Sequence, residues 1–95
     1  MIRVMVHATV RDGAQHEFER AFEHVRTAVV GTPGHVEDTL LRSTEDPTAY
    51  VLLSLWESRE QFLAWEDAPI HRSLTTPMRP YWAGRVQRLI FDVAA

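Results

Sequence analysis

Length, composition and charge narrow the classes of protein to which the chain can belong. It has 95 residues, of which 45% are hydrophobic, and its formal net charge is −3. This length predicts a single domain over residues 1–95, and the lack of a basic block argues against nucleic acid as a partner. The chain has no cysteine, which excludes disulfides, thiolate metal sites and a cysteine nucleophile and fits a cytoplasmic location.

The distribution of apolar residues excludes two further classes. The N-terminal residues MIRVMVHATVRDG lack a continuous apolar stretch and a small-residue cleavage site, so we expect no signal peptide. No apolar run approaches the roughly 20 residues that a membrane span needs. We therefore expect no membrane partner.

The chain begins with an alternating β-branched segment over residues 2–10. Val4 and Val6 point to one side of this predicted strand, whereas Met5 and His7 point to the other. The turn sequence RDG follows it.

A helix and a second strand are predicted next. Apolar residues, among them Phe22, recur at helical spacing over residues 14–30, and charged residues take the opposite side. The sequence GTPG ends this helix, because glycine suits the position after a helix and Pro33 cannot continue it. Residues 35–43 then predict a strand.

Residues 49–56 are the strongest predicted strand of the chain. Both of its faces are mostly apolar, so we expect both to be covered. One face carries Tyr50, Leu52, Ser54 and Trp56, and the other carries Val51, Leu53 and Leu55.

A second helix is predicted to begin at the S-x-x-Q capping box of Ser58 and Gln61. Phe62 and Trp65 then share one helix face at a spacing of three residues.

The sequence DAPIH interrupts the second helix. Pro69 can be the first residue of a further helical segment, which we expect to run to Met78. Residues 84–93 predict the last strand.

The predicted element order is βαββαβ, which is typical of the ferredoxin-like α+β fold. In this fold two helices cover one face of a four-stranded antiparallel sheet. The other face would be a large apolar surface carrying either Val4, Val6 and Val10 or Val51, Leu53 and Leu55, and such a surface implies a partner. We therefore expect a homodimer in which two sheets pack face to face.

Several histidines and tryptophans are candidates for chemistry. His7 lies mid-strand among apolar neighbours, and an imidazole is the natural general base, with a satisfied core or dimer-interface histidine as the alternative. His71 follows the helix break and is either an exposed residue or one that reaches a cavity. Arg79 and Arg88 are expected on the surface. Of the possible metal ligands, His16, Glu17, Glu23 and His24 are expected to be solvated, and His35 with Glu37 and Asp38 is a weak signal.

The sequence as a whole resembles the antibiotic biosynthesis monooxygenase family. The resemblance rests on MIRVMVHATVRDG, on TPGHVEDTLLRSTEDPTAY and above all on YVLLSLWESREQFLAWEDAPIHRSL, where a strand ending in WES precedes a helix, an acidic-Ala-Pro break and a histidine. It implies the dimeric ferredoxin-like barrel. It is less specific for the reaction, since the family also contains heme-degrading enzymes and proteins of unknown role.

Two branches of that family can be compared residue by residue. Its quinone-forming oxygenases use the tryptophan that corresponds to Trp56, with an asparagine and a tyrosine where this chain has Leu52 and Phe62. Its heme-degrading enzymes use an asparagine, a tryptophan and a histidine, and the corresponding residues here are His7, Trp65 and Thr75. The heme ligand is thus missing, and His71 would replace it only if the helix were shifted by one turn, so we expect no heme.

The resemblance and the predicted elements together suggest a pocket between sheet and helices. Its expected substrate-binding residues are Leu52, Ser54, Phe62, Trp65, Met5 and Phe22, and its expected catalytic residues are His7, Trp56 and His71. Such an apolar and aromatic site suits a planar polycyclic ligand.

The first hypothesis is a cofactor-independent monooxygenase that uses molecular oxygen to convert a phenolic or anthrone-type polyketide intermediate to a quinone. The alternatives are a non-redox cyclase or aromatase, an auxiliary polyketide-binding protein, a heme-binding protein and a dimeric module without activity.

Overall fold

A four-stranded antiparallel sheet forms one layer of the molecule, and the helices form the other. The computed structural model describes all residues 1–95. The strands are β1 (Ile2–Thr9), β2 (His35–Arg42), β3 (Ala49–Trp56) and β4 (Gln87–Asp92), and the helices are α1 (Gln15–Val29), α2 (Arg59–Asp67) and α3 (Pro69–Thr75), with a 3₁₀ helix over Thr76–Tyr81. The strand order is β2-β3-β1-β4, which confirms the predicted ferredoxin-like α+β fold.

The start of α2 is fixed by the predicted cap and by a close approach of the backbone. The Ser58 hydroxyl accepts a hydrogen bond from the Gln61 backbone N–H at 3.2 Å and donates one to Gln61 Oε1 at 2.9 Å. The folded Gln61 side chain lies against Gly34, where an added Cβ would approach it to 2.5 Å. Gly34 also has a φ of +87°, so both the backbone conformation and the contact require glycine.

Prolines divide the rest of the helical layer. Pro69 is the first residue of α3, as predicted. The segment does not continue to Met78 as one helix: α3 ends at Thr75, and a 3₁₀ helix containing Pro77 and Pro80 follows. Proline has no N–H to donate to an α-helical hydrogen bond, which explains the change.

The last strand is shorter than predicted. Gly84 has a φ of +92°, and pairing with β1 begins at Gln87, opposite His7. The chain from Gly84 to Val86 is thus irregular, with a bend at Gly84, rather than the start of a strand.

The register of β1 and β3 decides which side chains meet the helices. Val4 pairs with Ser54, and Met5 pairs with Leu53. Directly paired residues point to the same side of a sheet, and the sides alternate along each strand. The helix-covered face carries Val4, Val6, Tyr50, Leu52, Ser54 and Trp56, and the open face carries Met5, His7, Val51, Leu53 and Leu55.

The core consists of two clusters on the helix-covered face. One surrounds Phe18 and Phe22 of α1, and the other surrounds Trp56 and Phe62. No helix has the length and apolar character that crossing a bilayer requires.

Candidate functional site

A cavity of about 340 Å³ lies between the sheet and the helices, next to both core clusters. Its volume falls within the usual range of small-molecule sites, about 300–1,000 Å³. The strands contribute Val4, Val6, Asp38, Leu52, Leu53, Ser54, Trp56 and Arg88, and the helical side contributes Phe22, Val25, Val29, Phe62, Trp65, Glu66, His71, Thr75, Met78, Arg79 and Trp82, with Val86 just before β4. Most of these side chains are apolar, and the few polar ones carry the chemistry.

A larger groove lies outside this cavity, between α1 and the turn that joins β2 to β3. It is lined mainly by charged and polar side chains, and only three of its twelve lining residues are hydrophobic. Its acids and bases already interact, as in the contact of Arg42 with Glu19 at 3.0 Å. An open, charged groove of this kind cannot exclude water from a reactive intermediate, so the inner cavity is the candidate site.

Three aromatic rings form the wall near α2. Trp56 is 1% exposed, and its ring centroid lies 5.6 Å from Phe62 and 6.5 Å from Trp65. The Trp56 indole N–H donates to Ser54 Oγ at 3.1 Å, so its polar atom is satisfied inside the site. The wall is therefore ordered before any ligand enters, and Trp65, the partly exposed ring of the three, is the one that a ligand can contact.

His71 is the only imidazole among the residues that line the cavity. Its ring meets the Trp65 ring edge-on, with centroids 5.2 Å apart, and neither ring nitrogen forms a hydrogen bond within the chain. Burial lowers the pKa of His71, Arg79 lowers it further, and Glu66 opposes the shift. The imidazole is therefore neutral at pH 7 and can accept a proton.

Two arginines from different elements reach the cavity. Arg88 of β4 donates to Glu66 at 2.8 Å, and its guanidinium lies 5.8 Å from the centre of the Phe62 ring. Arg79 lines the cavity without forming an ion pair. Since Glu66 neutralises Arg88, Arg79 is the cation that remains available to an anionic ligand.

Asp38 is the second acidic group of the cavity wall. Its Oδ2 lies 3.0 Å from Nε2 of His35, and these two side chains are 15% and 7% exposed. Burial raises the pKa of Asp38, although His35 and Arg26 oppose this and Glu37 adds to it. The carboxyl group thus retains its proton at a higher pH than an ordinary aspartate does.

Seven of the nine residues predicted for the pocket lie around this cavity. They are Phe22, Leu52, Ser54, Trp56, Phe62, Trp65 and His71. The predicted placement of His7 and Met5 in the same pocket is wrong. Both alternate with Val4 and Val6 along β1 and point to the open face of the sheet, away from the helices.

Four charged residues of the cavity, Asp38, Glu66, Arg79 and Arg88, were not predicted as site residues. Arg79 and Arg88 were expected on the surface, and Asp38 was considered only as a weak metal ligand. For Arg88 a signal was present, because it lies two residues before Ile90 and so shares its face of β4, and Ile90 packs on the buried cluster around Trp56. Arg79 lies between Pro77 and Pro80 in the 3₁₀ helix, and nothing in its spacing indicates a direction.

Comparison with known proteins identifies the class. The family model for antibiotic biosynthesis monooxygenases matches residues 1–75, and the chain belongs to that family. Over its full length the fold also matches SnoaB, a cofactor-independent oxygenase from Streptomyces nogalater, with a TM-score of 0.86, 24% identity and coverage of 99% of this chain and 93% of that one.

The curated relatives are mostly longer proteins. Protein SchA of Streptomyces halstedii is 39% identical over 87% of this chain, and a 42.8 kDa protein in the whiE locus of Streptomyces coelicolor is 43% identical over 81% of it. The matched regions span only 22% and 19% of those two proteins. A mycobilin-producing heme oxygenase of Mycobacterium tuberculosis is 39% identical over 60% of this chain and 54% of its own length.

Proposed function

We propose that the chain is a cofactor-independent monooxygenase that oxidises a planar phenolic or anthrone-type polyketide intermediate to a quinone. The observation that carries this proposal is the imidazole of His71, whose ring nitrogens are free, in a cavity with the stacked rings of Trp56 and Trp65 in its wall. The family membership supports an oxidoreductase, and the shared fold with SnoaB supports chemistry without a cofactor.

Binding orients the substrate before any chemistry occurs. The ligand lies against Trp65, which is itself stacked on the buried Trp56, and a stacked aromatic pair gains about 0.5–1.5 kcal/mol beyond the burial of area. The same rings exclude water from the reacting carbon. Its acidic C–H or O–H group then points toward His71.

The reaction begins with removal of a substrate proton by His71. The resulting anion is stabilised by the positive charge of Arg79, which forms no ion pair of its own. The electron-rich anion transfers one electron to dioxygen, and the two radicals combine into a peroxide at the same carbon.

Breakdown of the peroxide to the quinone and water completes the reaction. The carbon loses its second hydrogen as a proton, the O–O bond breaks, and the carbonyl forms while the outer oxygen leaves as water. One anthrone and one dioxygen thus give one quinone and one water. The substrate supplies all four electrons, and the protein supplies a base, a positive charge and a dry cavity.

The test is turnover of a model anthrone by protein treated with a chelator and free of hemin. We expect quinone to form with consumption of one dioxygen per quinone, above the spontaneous rate in buffer. A parallel assay without oxygen, with a linear polyketide mimic as substrate, distinguishes the oxygenase from the cyclase alternative, because a cyclase needs no oxygen. Product formation without oxygen, or an enzymatic rate no higher than that of buffer, would contradict the oxygenase.

A homodimer through the open sheet face is part of the same proposal. This face carries Leu53 and Leu55, and at its edges Leu41 and Phe91 are 45% and 48% exposed. An apolar surface of this extent is typical of an interface, and a second copy satisfies it symmetrically.

Sedimentation velocity tests the dimer. We expect twice the 10.9 kDa mass of the chain, and the chain mass alone for Leu53→Asp, because the variant buries an unpaired charge in the interface. Wild-type protein that sediments as a monomer at micromolar concentration would refute this arrangement.

Heme binding is the second candidate, favoured by the similarity to the mycobacterial heme oxygenase. The donor set does not fit it. Thr75 lies where that branch carries its histidine ligand, and the Thr75 hydroxyl donates to the backbone carbonyl of His71 at 2.9 Å. We therefore expect a hemin titration to give no protein-dependent Soret band, and a saturable band would revive this candidate.

A further inference from the structure

A β-bulge brings two titratable residues of β2 to the same face of the sheet. His35 and Asp38 are three residues apart, and in a regular strand they would point to opposite sides. The register with β3 shifts between His35 and Glu37, so both side chains turn toward the helices. Bulges of this type often re-aim side chains beside active sites.

The two side chains form a buried pair at the cavity wall. His35 Nε2 and Asp38 Oδ2 are 3.0 Å apart, and the His35 ring packs edge-on against Trp56 with centroids 5.2 Å apart. Asp38 lines the cavity, whereas His35 lies behind it. Nε2 of His35 is buried without an aligned hydrogen bond, so the 3.0 Å contact with Asp38 is its polar contact, and a charge on either side chain alone would be costly there.

We propose that Asp38, supported by His35, is the general acid that protonates the peroxide oxygen and then the departing hydroxide. This assignment rests on the proposed oxygenase function and adds a second proton-transfer group to it. Asp38 lies on edge strand β2 and His71 in the helical layer, so acid and base approach the ligand from different walls. Asp38 is thereby a catalytic residue, and His35 is a positioning residue.

The proton balance of the reaction needs such a group. His71 removes two protons in turn from the substrate carbon, and two protons must reach the oxygen that leaves as water. In this proposal Asp38 delivers each of them and is recharged from His35, which in turn is reprotonated from solvent. Burial raises the pKa of Asp38, so a protonated carboxyl is more available than at an exposed aspartate.

The experiment separates deprotonation from oxygen chemistry. Without oxygen, exchange of the acidic C–H of anthrone for deuterium in D₂O reports on His71 alone. With oxygen, quinone formation reports on the whole sequence. We expect Asp38→Asn to keep the exchange rate within about twofold and to lower quinone formation by about 10²–10⁴-fold, with release of hydrogen peroxide or hydroperoxide. Asp67→Asn, at the exposed end of α2, should match wild type in both assays.

A second variant tests the pair itself. His35→Gln should lower quinone formation by less than Asp38→Asn, since Asp38 can still be protonated, and should leave the exchange rate intact. In ¹³C NMR the Asp38 carboxyl should titrate at a higher pH in His35→Gln than in wild type, because His35 lowers that pKa. If Asp38→Asn does not fold, these two results decide the question.

Two outcomes overturn the assignment. One is unchanged quinone formation in Asp38→Asn, and the other is an equal loss of exchange and quinone formation. A wild-type protein that neither exchanges nor oxidises anthrone refutes the proposed function itself, which is a different result.

Discussion

Replacing His71 with asparagine should lower kcat/KM for anthrone oxidation by about 10²–10⁴-fold, the usual contribution of a general base. The ring of His71 is the only imidazole that lines the cavity, and no other residue of the chain binds its nitrogens. Asparagine keeps a polar side chain but cannot accept the substrate proton at neutral pH. Quenching of tryptophan fluorescence by anthraquinone should change little, since Trp56 and Trp65 remain in place.

The pH profile provides a readout that a merely structural role would not change. Burial lowers the pKa of His71 below its ordinary value of about 6.5, so the neutral base persists into mildly acidic solution. We expect kcat/KM to fall as pH drops through this lowered pKa, with the inflection below about 6.5. This fall of kcat/KM at low pH should be missing in His71→Asn.

Two histidine variants are matched controls for His71→Asn. His24→Asn on the exposed side of α1 should leave turnover unchanged. His7→Asn should also retain turnover, because that ring lies on the open face of the sheet. A large loss in His7→Asn, with His71→Asn active, would show that the base comes from the open face.

Replacing Trp56 with alanine should lower the free energy of unfolding by about 3–5 kcal/mol, the usual cost of truncating a buried tryptophan. Trp56 is 1% exposed and packs against His35, Phe62 and Trp65. The whole stability of a small domain is about 5–15 kcal/mol, so this loss is a large share of it. Urea unfolding at fixed protein concentration measures the change, and the fixed concentration matters if the chain dimerises.

Ile70→Ala is the matched control for Trp56→Ala. Ile70 is 58% exposed on α3 and does not line the cavity, so its truncation should cost less than about 1 kcal/mol. A cost below about 1 kcal/mol for Trp56→Ala would mean that the aromatic wall is not a packed part of the fold.

Local signals in the sequence were sufficient for the fold. The alternation over Ala49–Trp56 predicted β3 with the bounds that the structure gives. The Ser58 capping box predicted the first turn of α2, and Pro69 predicted the break before α3. These features act within a few residues of the chain, so they can be recognised without knowledge of the tertiary structure.

The faces of the strands were harder to assign. Alternation along β1 separates Met5 and His7 from Val4 and Val6, but it does not say which set meets the helices. The register with β3, where Val4 pairs with Ser54, settles that question, and register is a property of the assembled sheet. His7 was therefore placed in the pocket although its side chain points away from it.

The polar half of the site depends on irregular backbone. The bulge between His35 and Glu37 turns Asp38 toward the cavity, and the 3₁₀ helix over Thr76–Tyr81 carries Arg79 to its wall. Neither deviation has a regular period, so neither can be found from hydrophobic patterning. The aromatic half, in contrast, follows from Trp56 at the end of a strand and from Phe62 and Trp65 on one helix face.

The central claim is that dioxygen supplies an atom to an aromatic substrate in this cavity without help from a cofactor. It is tested most directly by mass spectrometry of the quinone formed under ¹⁸O₂ by chelator-treated, hemin-free protein. We predict that the new carbonyl carries ¹⁸O, that the second labelled atom appears in water, and that His71→Asn forms little labelled product beyond the spontaneous background. Two results would contradict the account. One is a new carbonyl oxygen that comes from solvent in product analysed before the carbonyl can exchange its oxygen with water, and the other is labelling that is the same with and without the protein.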